Sequence, residues 1–358
     1  MRTYIVVFVG VLTLAIVGTP LSRKLGLRLK TIDQPDPRRK VHTIPTPRLG
    51  GVAIFLSTLI VTLLVGEQYN INQLSSTLIG ATLMSFVGLW DDRFSLPASV
   101  KLIGQLIALA LLLLSGVSIS VLPHPILNVL ATALWVVGIT NAFNLLDNMD
   151  GLSGGIAAIA AAHFALICAF TGQYLVGALA VAVMAACIGF LIYNWNPATI
   201  FMGDSGALFL GFVLASIGIK VRFPDNTPIV TWMIPILVLA VPIFDTTLVT
   251  ISRLRRGLNP LTTPGVDHTS HRLTYAGLTR REAVLVLYVA AFVVGLVALF
   301  VTRASLWEGY LVGGMTGIAG LYALWRAERP PFWPPKDAPR DNISTFKCDN
   351  VSSSNDFN

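Results

Sequence analysis

The most informative stretch of the chain is a polar segment, residues 141–155, which lies between two apolar segments. Asn144, Asp147 and Asp150 follow one another at intervals of three residues, so on a helical turn their side chains share one face. Their amides and carboxylates suit the polar edges of a nucleotide base and its ribose, and the glycines that follow let a ligand approach the backbone closely. A helix cap and turn uses the same residue types, but it accounts for only one or two of them.

A second candidate group is the acidic pair Asp91 and Asp92, with Arg93 beside it and Lys101 further along the chain. Adjacent carboxylates ionise together only when a cation is near. Either the two basic residues or Mg²⁺, which proteins usually bind through one or two carboxylates plus substrate phosphates, would supply that charge. A solvated helix end would explain one Asp, but it does not explain this pair with its two cations.

Asp204 begins a later apolar segment and is followed by Ser205 and Gly206. The first backbone N–H groups of a helix have no partner within the helix and attract anions. We therefore expect Asp204 and free amides to face a complex of phosphate and metal. The alternative is that Asp204 is simply the N-cap of the helix.

The fourth group is a loop that contains His268, His271 and Arg272. Two histidines and several arginines suit a pyrophosphate, whereas zinc is disfavoured because the loop has no Cys or third His. Three arginines precede the histidines: Arg253, Arg255 and Arg256. For these three, a solvated basic loop facing anionic lipid is at least as good an explanation.

Two further polar residues stand at or within apolar segments. Arg48, at the end of the segment that begins at His42, precedes a Gly-Gly pair at a helix entrance and could hold a phosphate. Asp245 lies inside an apolar segment. It is either part of the catalytic machinery or a structural hydrogen-bonding partner of a neighbouring helix.

These groups must be positioned by membrane helices, because 54% of the 358 residues are hydrophobic and only 12% are charged. Soluble proteins carry about 25% charged residues. Apolar runs of about 20 residues recur along the chain and predict an all-α polytopic membrane protein. The net charge of +7 is better explained by basic cytoplasmic loops than by nucleic-acid binding.

We predict eleven transmembrane helices, the first of them a retained span and not a cleaved signal peptide. Their approximate ranges are 4–21, 49–66, 72–90, 99–120, 125–143, 156–171, 174–193, 205–221, 229–250, 283–302 and 306–325. The basic residues then fall on one side except for Arg2, Lys220, Arg222 and Arg303. The positive-inside rule places the N-terminus outside and the C-terminus, with all the polar motifs, in the cytoplasm.

The chain is predicted to hold one membrane domain, residues 1–327, and a disordered cytoplasmic tail, residues 328–358. The tail is rich in Pro and then in Ser and Asn. The three cysteines support neither a disulfide framework nor a cysteine metal site.

Four motifs in this order resemble the polyprenyl-phosphate N-acetylhexosamine-1-phosphate transferases. They are Asp91-Asp92, the segment from Asn141 to Leu152, Phe201-Met-Gly-Asp204-Ser-Gly and His268-Thr-Ser-His271-Arg-Leu. The resemblance extends over roughly residues 30–300. It implies that a lipid phosphate attacks the β-phosphate of a UDP-N-acetylhexosamine, releasing UMP at the cytoplasmic face of the inner membrane. It also implies Mg²⁺, with Mn²⁺ as the alternative, and often a homodimer.

The resemblance also implies roles for individual residues. Asp204 resembles the Mg²⁺ ligand of the family. Asp91 and Asp92 resemble the pair that acts on the lipid phosphate or assists the metal. Asn144 and Asp147 resemble residues of the catalytic centre. Four sets of residues resemble or are predicted as substrate contacts: Asp150 and Asn194 for uridine, Phe201 for stacking on uracil, Arg48, Lys101 and Arg272 for phosphate, and His268 and His271 for phosphate or sugar.

Two departures from the family pattern concern the sugar. Ser270 stands where the GlcNAc-1-phosphate enzymes usually carry a histidine, and Asn148 stands where many relatives have glycine. GlcNAc is the first expectation, and another UDP-N-acetylhexosamine is the second. Two other classes of protein fit the sequence less well. A transporter would place its charges near the bilayer midplane and show paired repeats, whereas the charged motifs here collect on one face and no repeat is found. A membrane prenyltransferase would need two Asp-rich motifs, and Asp91-Asp92 supplies only one.

Overall fold

The protein is a bundle of helices, seen here in a computed structural model that describes residues 2–33, 45–66, 71–223, 226–260, 263 and 265–333. The helices are α1 (Arg2–Arg28), α2 (Gly50–Gly66), α3 (Ile71–Phe94), α4 (Ala98–Leu114), α5 (Pro125–Leu146), α6 (Leu152–Phe170), α7 (Tyr174–Asn194), α8 (Gly203–Lys220), α9 (Pro228–Thr231), α10 (Met233–Val238), α11 (Ala240–Arg255), α12 (Thr269–Tyr275), α13 (Arg280–Val301) and α14 (Leu306–Ala327). Two short strands, β1 (Ile32–Asp33) and β2 (Thr46–Pro47), pair antiparallel.

The prediction of an all-helical membrane protein is confirmed, and each predicted span overlaps with at least one described helix. By length and composition, six described helices can cross a membrane: α1, α5, α6, α7, α8 and α13. The number becomes seven if the bent pair formed by α9–α10 and α11 is one span. Large apolar side chains remain exposed on the outer helices, as expected for a surface that faces lipid and not water.

Helix α8 is the central helix, because nearly all of its residues are buried against α2, α3, α5, α6 and α7. Glycines on the neighbouring helices permit this close packing. A Cβ atom at Gly51 of α2 would lie 2.1 Å from the backbone nitrogen of Gly206, and one at Gly88 of α3 would lie 2.3 Å from the carbonyl oxygen of Asp204. Small residues at helix crossings let backbones approach in this way. The N-terminus of α8 is therefore enclosed by α2 and α3.

The ninth predicted span is broken. The α9–α10 segment and α11 meet at an angle of 75° around Leu239. Pro242, in the first turn of α11, has no N–H to donate to the carbonyl of Val238, so the helical ladder is interrupted there. Helix α11, which follows the break, contacts the loop of His268 through Asp245 and Arg253.

The segment before α8 is tied to the entrance of α2. Phe201 donates its N–H to the carbonyl of Pro47 at 2.8 Å, and the N–H groups of Gly50 and Gly51 donate to the carbonyls of Phe201 and Met202 at 2.9 and 2.8 Å. These bonds place the Phe201 motif beside Arg48. His42 and the rest of residues 34–44 lie outside the described residues, as do residues 334–358 of the predicted tail.

Candidate active site

A polar cleft of about 350 Å³ opens where the predicted motifs meet. Its lining includes eight of the predicted site residues: Arg48, Asp92, Asp147, Asp150, Asn194, Phe201, Asp204 and His271. These residues are far apart in the sequence, and helix ends and loops bring them together. Three predicted residues lie just outside the cleft, in contact with Asp204 or with one another: Asp91, Lys101 and Asn144. His268 lies behind His271 and does not line the cleft, and neither does Arg272.

A carboxylate cluster with one ammonium group forms the end of the cleft nearest to α3 and α4. The Nζ atom of Lys101 lies 2.7 Å from Oδ2 of Asp91 and 3.3 Å from Oδ2 of Asp204. Oδ1 of Asp91 also accepts the N–H of Leu96 at 2.6 Å. Lys101 therefore neutralises part of the charge that accumulates when these carboxylates approach one another.

The expectation of free amides at the start of α8 is wrong. Oδ1 and Oδ2 of Asp92 accept the backbone N–H groups of Asp204 and Ser205 at 3.0 and 3.2 Å. The anion at this helix N-terminus is thus a carboxylate of the protein itself. The N-cap interpretation of Asp204 is wrong as well, because Met202 is the N-cap and Asp204 lies in the first turn. The Asp204 side chain remains available to the cleft.

Asn144 joins this cluster by a side-chain hydrogen bond to Asp204. One turn back along α5, Asn141 exchanges two hydrogen bonds with Gln105 of α4, at 2.9 and 3.2 Å. Gln105 lies one turn along α4 from Lys101 and is buried. This amide pair fixes α4 against α5, so that Lys101 and Asn144 approach Asp204 from two helices.

Asp147 ends α5 and faces the cleft as a half-buried carboxylate. No described residue donates a hydrogen bond to it. Burial, together with the negative charges of Asp204 and Asp150, raises the pKa of Asp147 to about 7, although Arg48 opposes the shift. A carboxyl group with such a pKa exchanges a proton near neutral pH, as a general base must.

For the phosphoryl transfer that the resemblance implies, we expect the logarithm of kcat/KM to rise with pH through about 7 in the wild type. The raised pKa means that Asp147 is mostly protonated below this pH and mostly ionised above it. Asp147→Asn should lower the rate and remove this inflection. Phosphomonoesters also titrate, at about pH 6, so the measurement is the difference between the two pH profiles. Glu282→Gln, at an exposed helix start outside the cleft, is the control. An unchanged inflection in Asp147→Asn would assign the titration to another group.

The opposite wall is built from the loop after α5 and the loop before α8. Oδ2 of Asp150 accepts hydrogen bonds from Asn196 Nδ2 and the Ala198 N–H at 2.9 and 3.0 Å, whereas Oδ1 receives none from the described residues. Asn194 is buried, accepts the Gly151 N–H at 3.0 Å and donates to the carbonyl of Ile200 at 2.9 Å. Asn194 therefore holds the two loops together at the cleft wall.

The histidine loop is anchored by Asp245, which favours the structural interpretation of this residue. Oδ2 of Asp245 lies 2.8 Å from Nδ1 of His268, and Oδ1 accepts the Thr269 N–H at 2.6 Å. The His268 and His271 rings are 6.1 Å apart, and only His271 lines the cleft. Burial and the charge of His268 lower the pKa of His271 to about 4, so this imidazole is neutral at physiological pH.

The interpretation of a solvated basic loop is wrong for Arg253. This side chain is buried, and its Nε and Nη2 atoms donate to Asp267 at 3.0 and 2.8 Å. Arg256 donates to the same carboxylate at 2.6 Å. Although burial alone would raise it, hydrogen bonds and charge from Arg253 and Arg256, with the charge of His268, lower the pKa of Asp267 to about 2. Arg255 remains exposed.

Arg272 does not line the polar cleft but lines a separate apolar groove, and its role as a substrate contact stays a prediction. Its Nη1 atom donates to the carbonyl of Ala327 at 2.7 Å and lies 2.9 Å from Glu328, and its guanidinium stacks on Trp333 at 4.5 Å. It also donates to the backbone of Asp267. Arg272 thus joins the histidine loop to the end of α14. Residues up to Trp333 take part in this contact, and disorder of the remaining tail stays a prediction.

The cleft also contains charged residues that were not predicted as site residues. Asp33 forms an ion pair with Arg48, and Arg280 contributes a guanidinium from the start of α13. In the sequence, Arg280 stands just before an apolar run, which was a detectable signal, but the charged residues beside it mask that signal. Asp33 lies in a polar segment and gave no such signal.

The residues present fit a magnesium ion that arrives with a phosphorylated ligand. No group of three or more His, Cys, Asp or Glu side chains within the described ranges forms a complete metal cage. Mg²⁺ does not require one, since it is usually held by one or two carboxylates together with phosphate oxygens and water. Asp204 offers such a carboxylate at the cleft, and Asp92 offers a second beside it, while the ammonium of Lys101 balances part of their charge.

An all-helical membrane bundle with this charged, carboxylate-rich cleft has the architecture of an integral membrane enzyme. Residues 74–222 match the sequence profile of glycosyl transferase family 4. A probable undecaprenyl-phosphate N-acetylglucosaminyl 1-phosphate transferase of Bacillus subtilis is 34% identical over 315 residues, covering 86% of this chain and 87% of that protein. The chain belongs to glycosyl transferase family 4, and the resemblance inferred from its motifs is confirmed.

Two further relatives carry related descriptions. A decaprenyl-phosphate N-acetylglucosaminephosphotransferase of Mycolicibacterium smegmatis is 31% identical over 356 aligned residues, covering 87% of this chain and 86% of that protein. An undecaprenyl-phosphate alpha-N-acetylglucosaminyl 1-phosphate transferase of Yersinia pestis is 26% identical over 303 residues, covering 80% of each chain. The three relatives share a polyprenyl phosphate and an N-acetylglucosamine phosphate in their names.

Proposed function

We propose that this enzyme transfers GlcNAc-1-phosphate from UDP-GlcNAc to a polyprenyl phosphate such as undecaprenyl phosphate. An oxygen of the lipid phosphate attacks the β-phosphorus of the donor, the bond to the bridging oxygen breaks, and UMP leaves. The product is a polyprenyl-diphosphate GlcNAc, a precursor for cell-envelope polysaccharide. The observation that carries the proposal is the cleft itself, which combines carboxylates and cations in a chain whose relatives bear these names.

The reaction brings together three phosphate groups, so the site must offset a large negative charge. Arg48 and Arg280 line the cleft, and Lys101 stands between Asp91 and Asp204 at its end. We assign these cations to the donor pyrophosphate and the acceptor phosphate. Asp204 with Asn144 would hold Mg²⁺, which would polarise the phosphoryl oxygens when bound.

The remaining site residues have distinct proposed roles. Asp147 would accept the last proton of the acceptor phosphate, because its pKa of about 7 is suited to that transfer. Asp150 would bind the uridine through its unbonded oxygen, and Phe201 would stack on the uracil ring. Asn194 would act by holding the wall in place. His271, neutral at physiological pH, would hydrogen-bond to the sugar or to a phosphate.

The orientation in the membrane follows from the same assignment. We propose eleven transmembrane segments in the inner membrane, with the N-terminus outside and the cleft facing the cytoplasm, where UDP-sugars are found. The basic loops that precede α2 and follow α11 support this orientation. A reporter fused after residue 340 should report a cytoplasmic location. A periplasmic signal from that fusion would overturn the orientation.

An apolar groove of about 980 Å³ provides a place for the polyprenyl chain of the acceptor. It is lined mainly by residues of α10, α11, α13 and α14, together with Thr269, Arg272 and Leu273 of α12. His271, on the same short helix, lines the polar cleft. A lipid whose chain occupies the groove can therefore present its phosphate near the carboxylates.

Release of UMP by the purified enzyme tests the proposal directly. With Mg²⁺, UDP-GlcNAc and undecaprenyl phosphate, we expect UMP and a lipid-linked GlcNAc. A panel of UDP-N-acetylhexosamines gives the sugar preference, and a short-chain isoprenyl phosphate should be a poorer acceptor because it cannot fill the groove. Absence of UMP with every donor would reject the transferase function.

A further inference from the structure

The two departures from the family pattern are in direct contact with each other. The Ser270 hydroxyl donates a hydrogen bond of 2.6 Å to Oδ1 of Asn148. The other end of the Asn148 amide is fixed as well, since Nδ2 donates to the carbonyl of Leu145 at 3.0 Å. Ser270 is 1% exposed, and Asn148 lines the cleft. This bond therefore connects a buried hydroxyl to a residue of the cleft lining.

The hydrogen bond joins two walls of the cleft. Asn148 stands between Asp147 and Asp150, which supply carboxylates to one wall. Ser270 immediately precedes His271, which faces the cleft from the other wall. Asp245 fixes the start of α12 through His268 and Thr269. The Ser270 bond adds a second attachment, which ties the same helix to the loop that carries Asp147 and Asp150.

We propose that Asn148 and Ser270 form one positioning pair. The pair sets the distance between His271 and the carboxylates of Asp147 and Asp150, and thereby the fit of the donor sugar. The side chains must match in size as well as in polarity. Because Ser270 is buried and touches Asn148, a larger side chain at one position requires a smaller one at the other. The inference rests on the proposed transferase function only where it refers to the donor.

The test is a double-mutant cycle with two readouts, the kinetics of UMP release and the thermal unfolding of the detergent-solubilised full chain. Ser270→Ala should raise KM for UDP-GlcNAc by about 3- to 10-fold, the range of one intramolecular hydrogen bond, with a smaller change in kcat. Ser270→Thr keeps the hydroxyl, so its KM should lie closer to the wild-type value than that of Ser270→Ala. Ser270→Ala should cost little in an Asn148→Ala background, since the contact is already lost there.

The exchange variants make the size argument testable. Ser270→His alone should raise KM strongly because the imidazole would meet Asn148, and adding Asn148→Gly should recover part of the loss.

Ser153→Ala is a matched control, since it removes a buried serine hydroxyl that has no partner among the described residues. Additive effects on both KM and Tm would overturn the pair. If the wild type released no UMP, the transferase proposal would fail, and the Tm cycle alone would still decide whether the pair is coupled.

Discussion

Asp204→Asn should reduce the rate of UMP release by about 100- to 1000-fold, the loss typical when one group that stabilises transition-state charge is removed. Oδ2 of Asp204 lies 3.3 Å from Lys101, and its carboxylate also accepts a hydrogen bond from Asn144. The amide of Asn has nearly the same shape but no negative charge. It therefore keeps the packing and removes the anion that we assign to Mg²⁺.

The fold should survive this substitution. The N–H groups at the start of α8 are bound by Asp92 and not by the Asp204 side chain, so the helix keeps its cap. We expect an unchanged Tm and a higher Mg²⁺ concentration for half-maximal activity. Glu308→Gln, which changes an acidic residue at an exposed helix start, is the control and should behave as the wild type. Full activity in Asp204→Asn would remove this residue from the metal site.

Residues at helix ends could be identified as site residues from the sequence, because a polar group beside an apolar run is a strong local signal. Asp147 and Asp150 follow α5, Asn194 ends α7, and Phe201 and Asp204 mark the start of α8. Each is recognisable without knowledge of the partner helices. The positive-inside pattern then placed these ends on one side of the membrane, and the structure brings all five to one cleft.

The partners of these residues could not be identified in the same way. The sequence indicates that the start of α8 attracts an anion, but the carboxylate that binds there comes from Asp92, 112 residues away from Asp204. Which carboxylate reaches it depends on the close crossing of α3 and α8. That crossing in turn depends on small residues such as Gly88, whose role is visible only when both helices are in place.

The arginines of the histidine loop show the same limit. A run of basic residues resembles a solvated loop, whereas Arg253 is bonded to Asp267 and Arg272 to Glu328. A buried arginine must be paired with an acceptor. The presence of Asp267 within this basic loop was a usable signal for Arg253. Nothing local indicated that Arg272 would bond to the end of α14, which is 55 residues further along the chain.

The break in the ninth span had a local signal. Pro235 and Pro242 lie within the predicted range 229–250, and a proline inside a helical pattern kinks or ends the helix. Length and hydropathy alone treated the range as one straight span. The bend matters for the site because it carries Asp245 to the histidine loop.

Gly88→Ala should lower turnover strongly although Gly88 is not in the cleft. A Cβ atom at this position would lie 2.3 Å from the carbonyl oxygen of Asp204 and 2.4 Å from the nitrogen of Ser205. Both contacts are with backbone atoms of α8 that cannot rotate away, so α3 and α8 must separate. Asp92 is one turn further along α3, and its bonds to the two amides of α8 would lengthen with that separation.

We expect turnover to fall by about 100-fold, the effect of misplacing catalytic groups by about 1 Å. The Tm should also fall, because overpacking a tight contact costs about 1–3 kcal/mol. Gly138→Ala is the matched control, since it adds the same methyl group within α5 at a position where a Cβ meets nothing within 4 Å. If Gly88→Ala and Gly138→Ala were equally active, the close crossing of α3 and α8 would not be what positions Asp92 and Asp204.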